Sequence, residues 1–248
     1  MRAVFATWWN VLRARPIVAA EFAVPYVILL IAAFLAGVAT IFSGAFAVVV
    51  GVILALLVLA ALAYTFGAAF GAVGETVRGD APTPYFLRAR RLFWRTLGMF
   101  GMAIVAALPA IIIGAIGFLM LAAAMLSSLA VASAPSGVLD AAFAVVAVFV
   151  LVALVTAPFI YCMEAGVFVG ERRVMDAFRA AFSEAYRGGR FWRWILVTLI
   201  VTAFSLIGSL VRSMPGVVGA VLGLIASIAL LWLSTALAFV NWQEGKGA

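Results

Sequence analysis

Histidine is absent from the 248 residues, cysteine occurs once, and aspartate plus glutamate number only nine. Without histidine the chain cannot build a His-based zinc site, a Ser-His-Asp triad or a Cys-His pair. It also lacks a phosphate-binding Gly-x-x-x-x-Gly-Lys loop, a Gly-x-Ser-x-Gly elbow and carboxylates at catalytic spacing. The expectation is a non-enzymatic chain with no catalytic, cofactor-binding or metal-binding residue and no cofactor. The lone Cys162 sits in an apolar run, so an intramolecular disulfide is excluded and the redox compartment is left unspecified. Charge is scarce as well: 10% of residues are charged and 68% are apolar. Soluble domains carry about 25% charged residues. A water-facing surface of this size cannot be covered, which excludes a soluble globular protein.

What the chain has instead is long runs without charge, over 22–74, 96–139, 141–163, 194–211 and 213–243. A bilayer core of about 30 Å takes roughly 20 helical residues, so the first run must turn back on itself. A break at Ser43 and Gly44 predicts a first helix near 18–41 and a second near 45–73. The next run holds a third helix near 97–125, followed by a loop through Ser127, Ser128, Ser133, Pro135, Ser136 and Gly137. Asp140 is expected to cap a fourth helix ending near 169. The fifth is predicted over 194–211 and the sixth over 216–241. Continuous apolar runs of this length argue for helices, since only helices and closed barrels satisfy their backbone groups in lipid. The fold class expected is an all-α polytopic membrane protein with six transmembrane helices, forming a single integral membrane domain over 1–248.

Six spans put both termini on one side. Fifteen of the sixteen basic residues fall before span one, between spans two and three, between spans four and five, or in the tail; Arg212 alone lies on the other side. The positive-inside rule then predicts cytoplasmic N- and C-termini. The net charge of +7 thus reads as a topology signal, and nucleic acid is not an expected partner. Arg13 and Arg15 interrupt the stretch after Trp8 and Trp9, unlike a cleavable signal peptide. Arginine outnumbers lysine fifteen to one amid abundant Ala, Val and Gly. That fits a GC-rich prokaryotic source, hence a multi-pass protein of a prokaryotic cell (inner) membrane.

An internal repeat organises the chain further. Phe93-Trp94-Arg95 recurs as Phe191-Trp192-Arg193, each leading directly into a span, and Trp8 and Trp9 with Arg13 and Arg15 hold the same place before span one. Tyr64 precedes Gly74 and Glu75 by 10 and 11 residues; Tyr161 precedes Gly170 and Glu171 by 9 and 10. Val240 to Glu244 is a weaker third copy. The expected units, near 1–75, 76–171 and 172–248, are each a basic amphipathic interfacial segment plus a helical hairpin. Because each unit crosses twice, the copies run parallel about an axis along the membrane normal.

The clearest interfacial segment is 172–187. Val174, Met175, Phe178, Ala181, Phe182, Ala185 and Tyr186 recur at helical spacing opposite Arg172, Arg173, Asp176, Arg179, Ser183, Glu184 and Arg187. It is expected to lie in the headgroup plane, ended by Gly188 and Gly189. The matching segment 85–95 follows Pro82 and Pro84. Membrane lipids with anionic headgroups are the expected partners of Arg88, Arg90, Arg91, Arg95, Arg172, Arg173, Arg179, Arg187, Arg190 and Arg193. The same segments are the candidate docking site for a cytoplasmic protein partner.

From Asp176 to Val197 the string Asp-Ala-Phe-Arg-Ala-Ala-Phe-Ser-Glu-Ala-Tyr-Arg-Gly-Gly-Arg-Phe-Trp-Arg-Trp-Ile-Leu-Val resembles a feature of six-span prokaryotic membrane proteins. These are similar to the membrane domain attached to some glycerophosphoryl diester phosphodiesterases and to poorly characterised stand-alone relatives. The resemblance follows the hairpin plan across most of the chain and implies a membrane module. The metal-binding His, Glu and Asp set of the phosphodiesterase domain has no counterpart in these residues, so no catalytic residue carries over.

Within the spans, Glu21, Glu164, Tyr64 and Tyr161 are the polar candidates, because ionisable groups in membranes are costly. Both glutamates lie near the predicted cytoplasmic ends, where snorkelling or pairing with Arg13, Arg15 or Arg172 would accommodate them. Tyr64 and Tyr161 hold matching positions that would set two hydroxyls around the repeat axis. The small-residue stripes Gly67, Gly71, Gly74 and Gly216, Gly219, Gly223, Ser227 read as helix-packing faces. Pro25, Pro109 and Pro158 read as packing accommodations. The function expected is organisation or handling of lipid or protein partners at the cytoplasmic face. The alternative is the membrane-spanning permease subunit of a transporter, with a separate ATPase docked on 85–95 and 172–187.

Overall fold

The computed structural model describes residues 2–39, 44–130, 135–187, 189–213 and 216–246. Its elements are all helical: α1 (Arg2–Ala14), α2 (Val18–Glu21), α3 (Ala23–Ala39), α4 (Gly44–Arg78), α5 (Tyr85–Ala130), α6 (Pro135–Phe168), α7 (Val174–Tyr186), α8 (Gly189–Arg212) and α9 (Gly216–Lys246). Among the described residues six stretches are long and apolar enough to cross a membrane: Val18–Val38, Val48–Arg78, Tyr85–Gly117, Val150–Phe168, Arg190–Arg212 and Gly219–Gly245. The chain is therefore an all-α, multi-pass membrane protein, and consecutive elements pack against each other as α3 with α4, α4 with α5, α5 with α6 and α8 with α9.

Several boundaries differ from those expected, each for a local reason. The basic segment 85–95 is not a separate interfacial helix but the first turns of α5, because neither glycine nor proline interrupts the chain from Tyr85 to Leu97. Pro84 precedes it, and its carbonyl accepts from the Arg88 amide at 3.0 Å. Ser127 and Ser128 belong to α5, whereas Ser136, Gly137 and Asp140 lie inside α6. Asp140 is thus no cap, and Pro135 opens that helix, where its missing N–H is harmless. Ser133, Ser43 and Gly188 fall outside the described residues, so the loop centre, the first break and half of the Gly188–Gly189 stop do too; Gly189 itself opens α8.

The buried side chains gather at the end of the bundle that carries the basic segments. They come from α1 (Val4, Val11, Leu12), the second half of α4, the start of α5, the end of α6, and from α7, α8 and α9. Phe70, Phe168 and Phe239, one from each of α4, α6 and α9, meet at its centre with ring centroids 5.3, 6.1 and 6.5 Å apart. Toward the other end, Leu56, Leu57, Ile111, Ile112, Leu206, Leu210 and Ile225 are exposed, the surface a helix turns to lipid. Close approach at the packed end needs glycine. A Cβ on Gly74 would strike the Phe168 carbonyl, and one on Gly71 the side chains of Leu92 and Arg88. The stripe is thus divided, Gly67 and Gly71 facing α5 and Gly74 facing the end of α6. Arg78 completes that junction by donating to the carbonyls of Phe168 at 2.6 Å and Val169 at 3.3 Å, which occupies acceptors a helix C-terminus leaves open.

The amphipathic α7 runs antiparallel along the last turns of α6. Ala177, Ala181 and Ala185 form its buried stripe, Ala177 facing Gly166. Phe178 meets Phe159 with centroids 5.0 Å apart, and Tyr186 donates to the Val155 carbonyl at 2.6 Å. Met175 and Phe182, expected on the apolar face with the alanines, are exposed together with Arg179. Alanines at four-residue spacing win the inner face because they let two helices approach closely, and the large side chains turn outward.

Candidate functional site

Three polar features are built on this frame. The first is an ion cluster at the junction of α2, α4 and α5. Arg88, placed on the inner face of α5 with its side chain 3% exposed, lies 2.7 Å from Glu21 and 3.0 Å from Glu75. Arg91 reaches Glu75 at 3.3 Å from a half-exposed position, and the Thr83 amide donates to Glu75 at 3.2 Å. The headgroup contact expected of Arg88 is therefore overturned: its side chain is an internal counter-ion. Glu21 is likewise neither snorkelling nor paired with Arg13, Arg15 or Arg172. Arg13 stacks over Trp9, Arg15 donates to the Asp80 carbonyl, and Arg172 pairs with Glu184 at 2.8 Å beneath Trp242. Glu75, at the centre of the cluster, was not among the sequence candidates.

The second feature is a cleft of about 350 Å³ between α5, α6 and α7. Val105, Pro109, Phe159, Phe178 and Phe182 form its apolar wall, and Thr156, Arg179 and Tyr186 supply its polar groups. Pro109 thus lines a cavity instead of only accommodating a crossing. Burial holds the Tyr186 phenol above its ordinary value. Arg90, Arg173, Arg179 and Arg187 are exposed, as a headgroup contact requires, and Arg95 is half-buried. Trp94 and Trp192 of the two Phe-Trp-Arg motifs are exposed as well, where aromatic residues of a membrane belt sit. Arg190 and Arg193 instead face a small cavity of about 20 Å³ with Cys162, Glu184, Asn241 and Trp242. The buried Arg193 Nε and Asn241 Oδ1 have no protein partner there, and such a space admits one water.

The third feature is a cavity of about 370 Å³ among the spans, bordered by Tyr26, Phe70, Tyr161, Glu164, Ser205, Ser209, Arg212, Ser227, Ser234 and Thr235. Glu164 has no hydrogen bond or ion pair to any described residue, so the expected arginine partner is missing. Tyr161 borders the same cavity, whereas Tyr64 donates to the Phe86 carbonyl at 3.2 Å on α5. The two tyrosines therefore do not meet, despite their matching sequence positions. The serine and threonine lining escaped the sequence reading although a signal was available in span five, where Thr198, Thr202, Ser205 and Ser209 recur at three- and four-residue intervals; in span six Ser227 and Ser234 stand seven apart.

Among the described residues no cluster of three or more His, Cys, Asp or Glu that could hold a metal ion occurs. The class that fold and composition define is a polytopic helical membrane protein. No family model, curated protein sequence or solved structure matches the chain.

Proposed function

We propose that the chain is a non-enzymatic membrane protein that holds a lipid at the cytoplasmic face, in the cleft between α5, α6 and α7. The observation that carries this reading is a cleft that joins an apolar wall to Arg179, which is exposed, and to Tyr186, a combination that suits an acyl chain with an anionic headgroup. The exposed stripe Met175, Arg179 and Phe182 on α7 supports the same orientation, since arginine beside anionic lipid contributes about 1 kcal/mol. The proposal includes a prokaryotic inner membrane, cytoplasmic termini and three parallel hairpin units.

The test is native mass spectrometry of the full chain released from nanodiscs containing phosphatidylglycerol or phosphatidylcholine. One phosphatidylglycerol retained by the wild type and lost from Arg179→Glu, with no preference between the two lipids in that variant, is the expected result. Equal retention of both lipids by the wild type would sink the reading. A second reading, the permease subunit of a transporter, is favoured by the polar cavity among the spans. It requires a stoichiometric soluble ATPase in the same spectra, bound through exposed residues of 85–95 and 172–187.

A further inference from the structure

The cavity that contains Glu164 has a chemistry distinct from the cleft. The Glu164 carboxylate lies in a membrane span with no compensating cation among the described residues. A charged group left so in low dielectric is costly and marks a functional position. Its level in the bundle follows from the aromatic core: Glu164 stands one turn before Phe168, as Thr235 stands one turn before Phe239, and those two rings stack. Glu164 and Thr235 therefore mark the inner end of the cavity. Arg212, bonded to Ser227, marks the other end, about 12 Å away along α9.

The hydroxyls between them have already spent their protons. Ser205, Ser209, Ser227, Ser234 and Thr235 each donate to the carbonyl one turn back in their own helix, at 3.0, 3.0, 2.7, 2.6 and 2.9 Å. What they can still offer to an occupant is oxygen lone pairs. Lone pairs and one carboxylate favour positive charge, and the rings of Tyr26, Phe70 and Tyr161 border the same space, where a ring that turns its face to an occupant favours a cation too. Among the described residues the one cation on the wall, Arg212, is exposed and already bonded to Ser227. A volume of about 370 Å³ far exceeds a bare metal ion and falls in the range of small-molecule pockets, and Val201, Leu230 and Leu231 give it an apolar wall.

We infer that this cavity binds an organic cation with an apolar body, an amine or onium compound, whose charge is met by Glu164. The inference is independent of lipid in the cleft and requires no translocation. Equilibrium binding of tritiated methyltriphenylphosphonium to the full chain in phosphatidylcholine nanodiscs tests it. Saturable one-to-one binding is expected, at least tenfold weaker in Glu164→Gln and unchanged in Glu171→Gln, whose carboxylate is exposed. Should Glu164→Gln not fold, the wild type serves alone: dicyclohexylcarbodiimide should modify Glu164, and the phosphonium should slow that modification. Absence of saturable binding, equal affinity in a folded Glu164→Gln, carbodiimide modification that the phosphonium leaves unchanged, or preferential binding of naphthalenesulfonate would each overturn the inference.

Discussion

Replacing Arg88 with methionine tests whether the packed end of the bundle is organised around a buried charge cluster. Methionine keeps the length of the side chain and removes the guanidinium that lies 2.7 Å from Glu21 and 3.0 Å from Glu75. Two opposite charges at about 4 Å attract by about 4 kcal/mol at an effective dielectric of about 20, before the cost of desolvating them. Glu75 is 2% exposed and retains only the outer contact to Arg91 and the Thr83 amide. Stranding a buried charge in this way costs about 3–5 kcal/mol, and here a second carboxylate, Glu21, is left beside it. Adding Glu75→Gln to Arg88→Met should recover at least about 1.5 kcal/mol, since contacting residues couple by about 0.5–3 kcal/mol.

The assay is reversible unfolding in mixed micelles at rising dodecyl sulfate fraction, followed by tryptophan fluorescence, for wild type, both single variants and the double variant. Arg91→Met is the internal comparison. Its half-exposed pair with Glu75 should contribute no more than about 1 kcal/mol. If Arg88→Met costs no more than Arg91→Met, or if the double variant is additive, the cluster is solvated and the reasoning fails.

Three further perturbations follow from the packing. Gly74→Val should destabilise by about 1–3 kcal/mol, because its Cβ would meet the Phe168 carbonyl; Gly51→Ala, where a Cβ meets nothing within 4 Å, should leave the same unfolding midpoint unchanged or raise it. Tyr186→Phe removes the bond to the Val155 carbonyl and should cost about 1 kcal/mol. It should also remove an alkaline dependence: burial raises the native Tyr186 phenol, so its contribution is constant at lower pH and is lost above about pH 10, where the unfolded chain gives up its proton first. Buried Cys162, its sulfur 3.9 Å from Glu184, should react with maleimide slowly in mild detergent and fast in dodecyl sulfate. Rapid labelling of the folded protein would mean that this part of α6 opens.

The six spans were legible because they follow from one-dimensional quantities, apolar length and charge spacing, which a bilayer reads directly. The amphipathic character of 172–187 was legible for the same reason, but its inner face was not. Hydrophobic periodicity ranks Phe182 and Met175 above alanine, whereas helix-on-helix packing selects Ala177, Ala181 and Ala185 for their small size. The basic segment at 85–95 was misassigned by analogy with 172–187. In one case α7 is separated from the fifth span, with Gly188 and Gly189 between them; in the other, the chain from Tyr85 into the third span has no breaker.

The charge cluster illustrates why a membrane sequence conceals its own interior. A basic residue beside a span carries the same topological signal whether it faces headgroups or turns inward, so Arg88 and Arg90 are indistinguishable by composition. Their separation by two positions on a helix decides the outcome, turning Arg88 toward Glu75 and Glu21 and leaving Arg90 outside. Glu21 satisfies its charge across 67 residues of sequence, a pairing that no local rule proposes. Glu164, equally shallow in sequence, meets no arginine among the described residues. Two carboxylates that look alike in the sequence thus differ in kind: Glu21 is internally compensated and structural, and Glu164 still needs positive charge from an occupant of the cavity it borders.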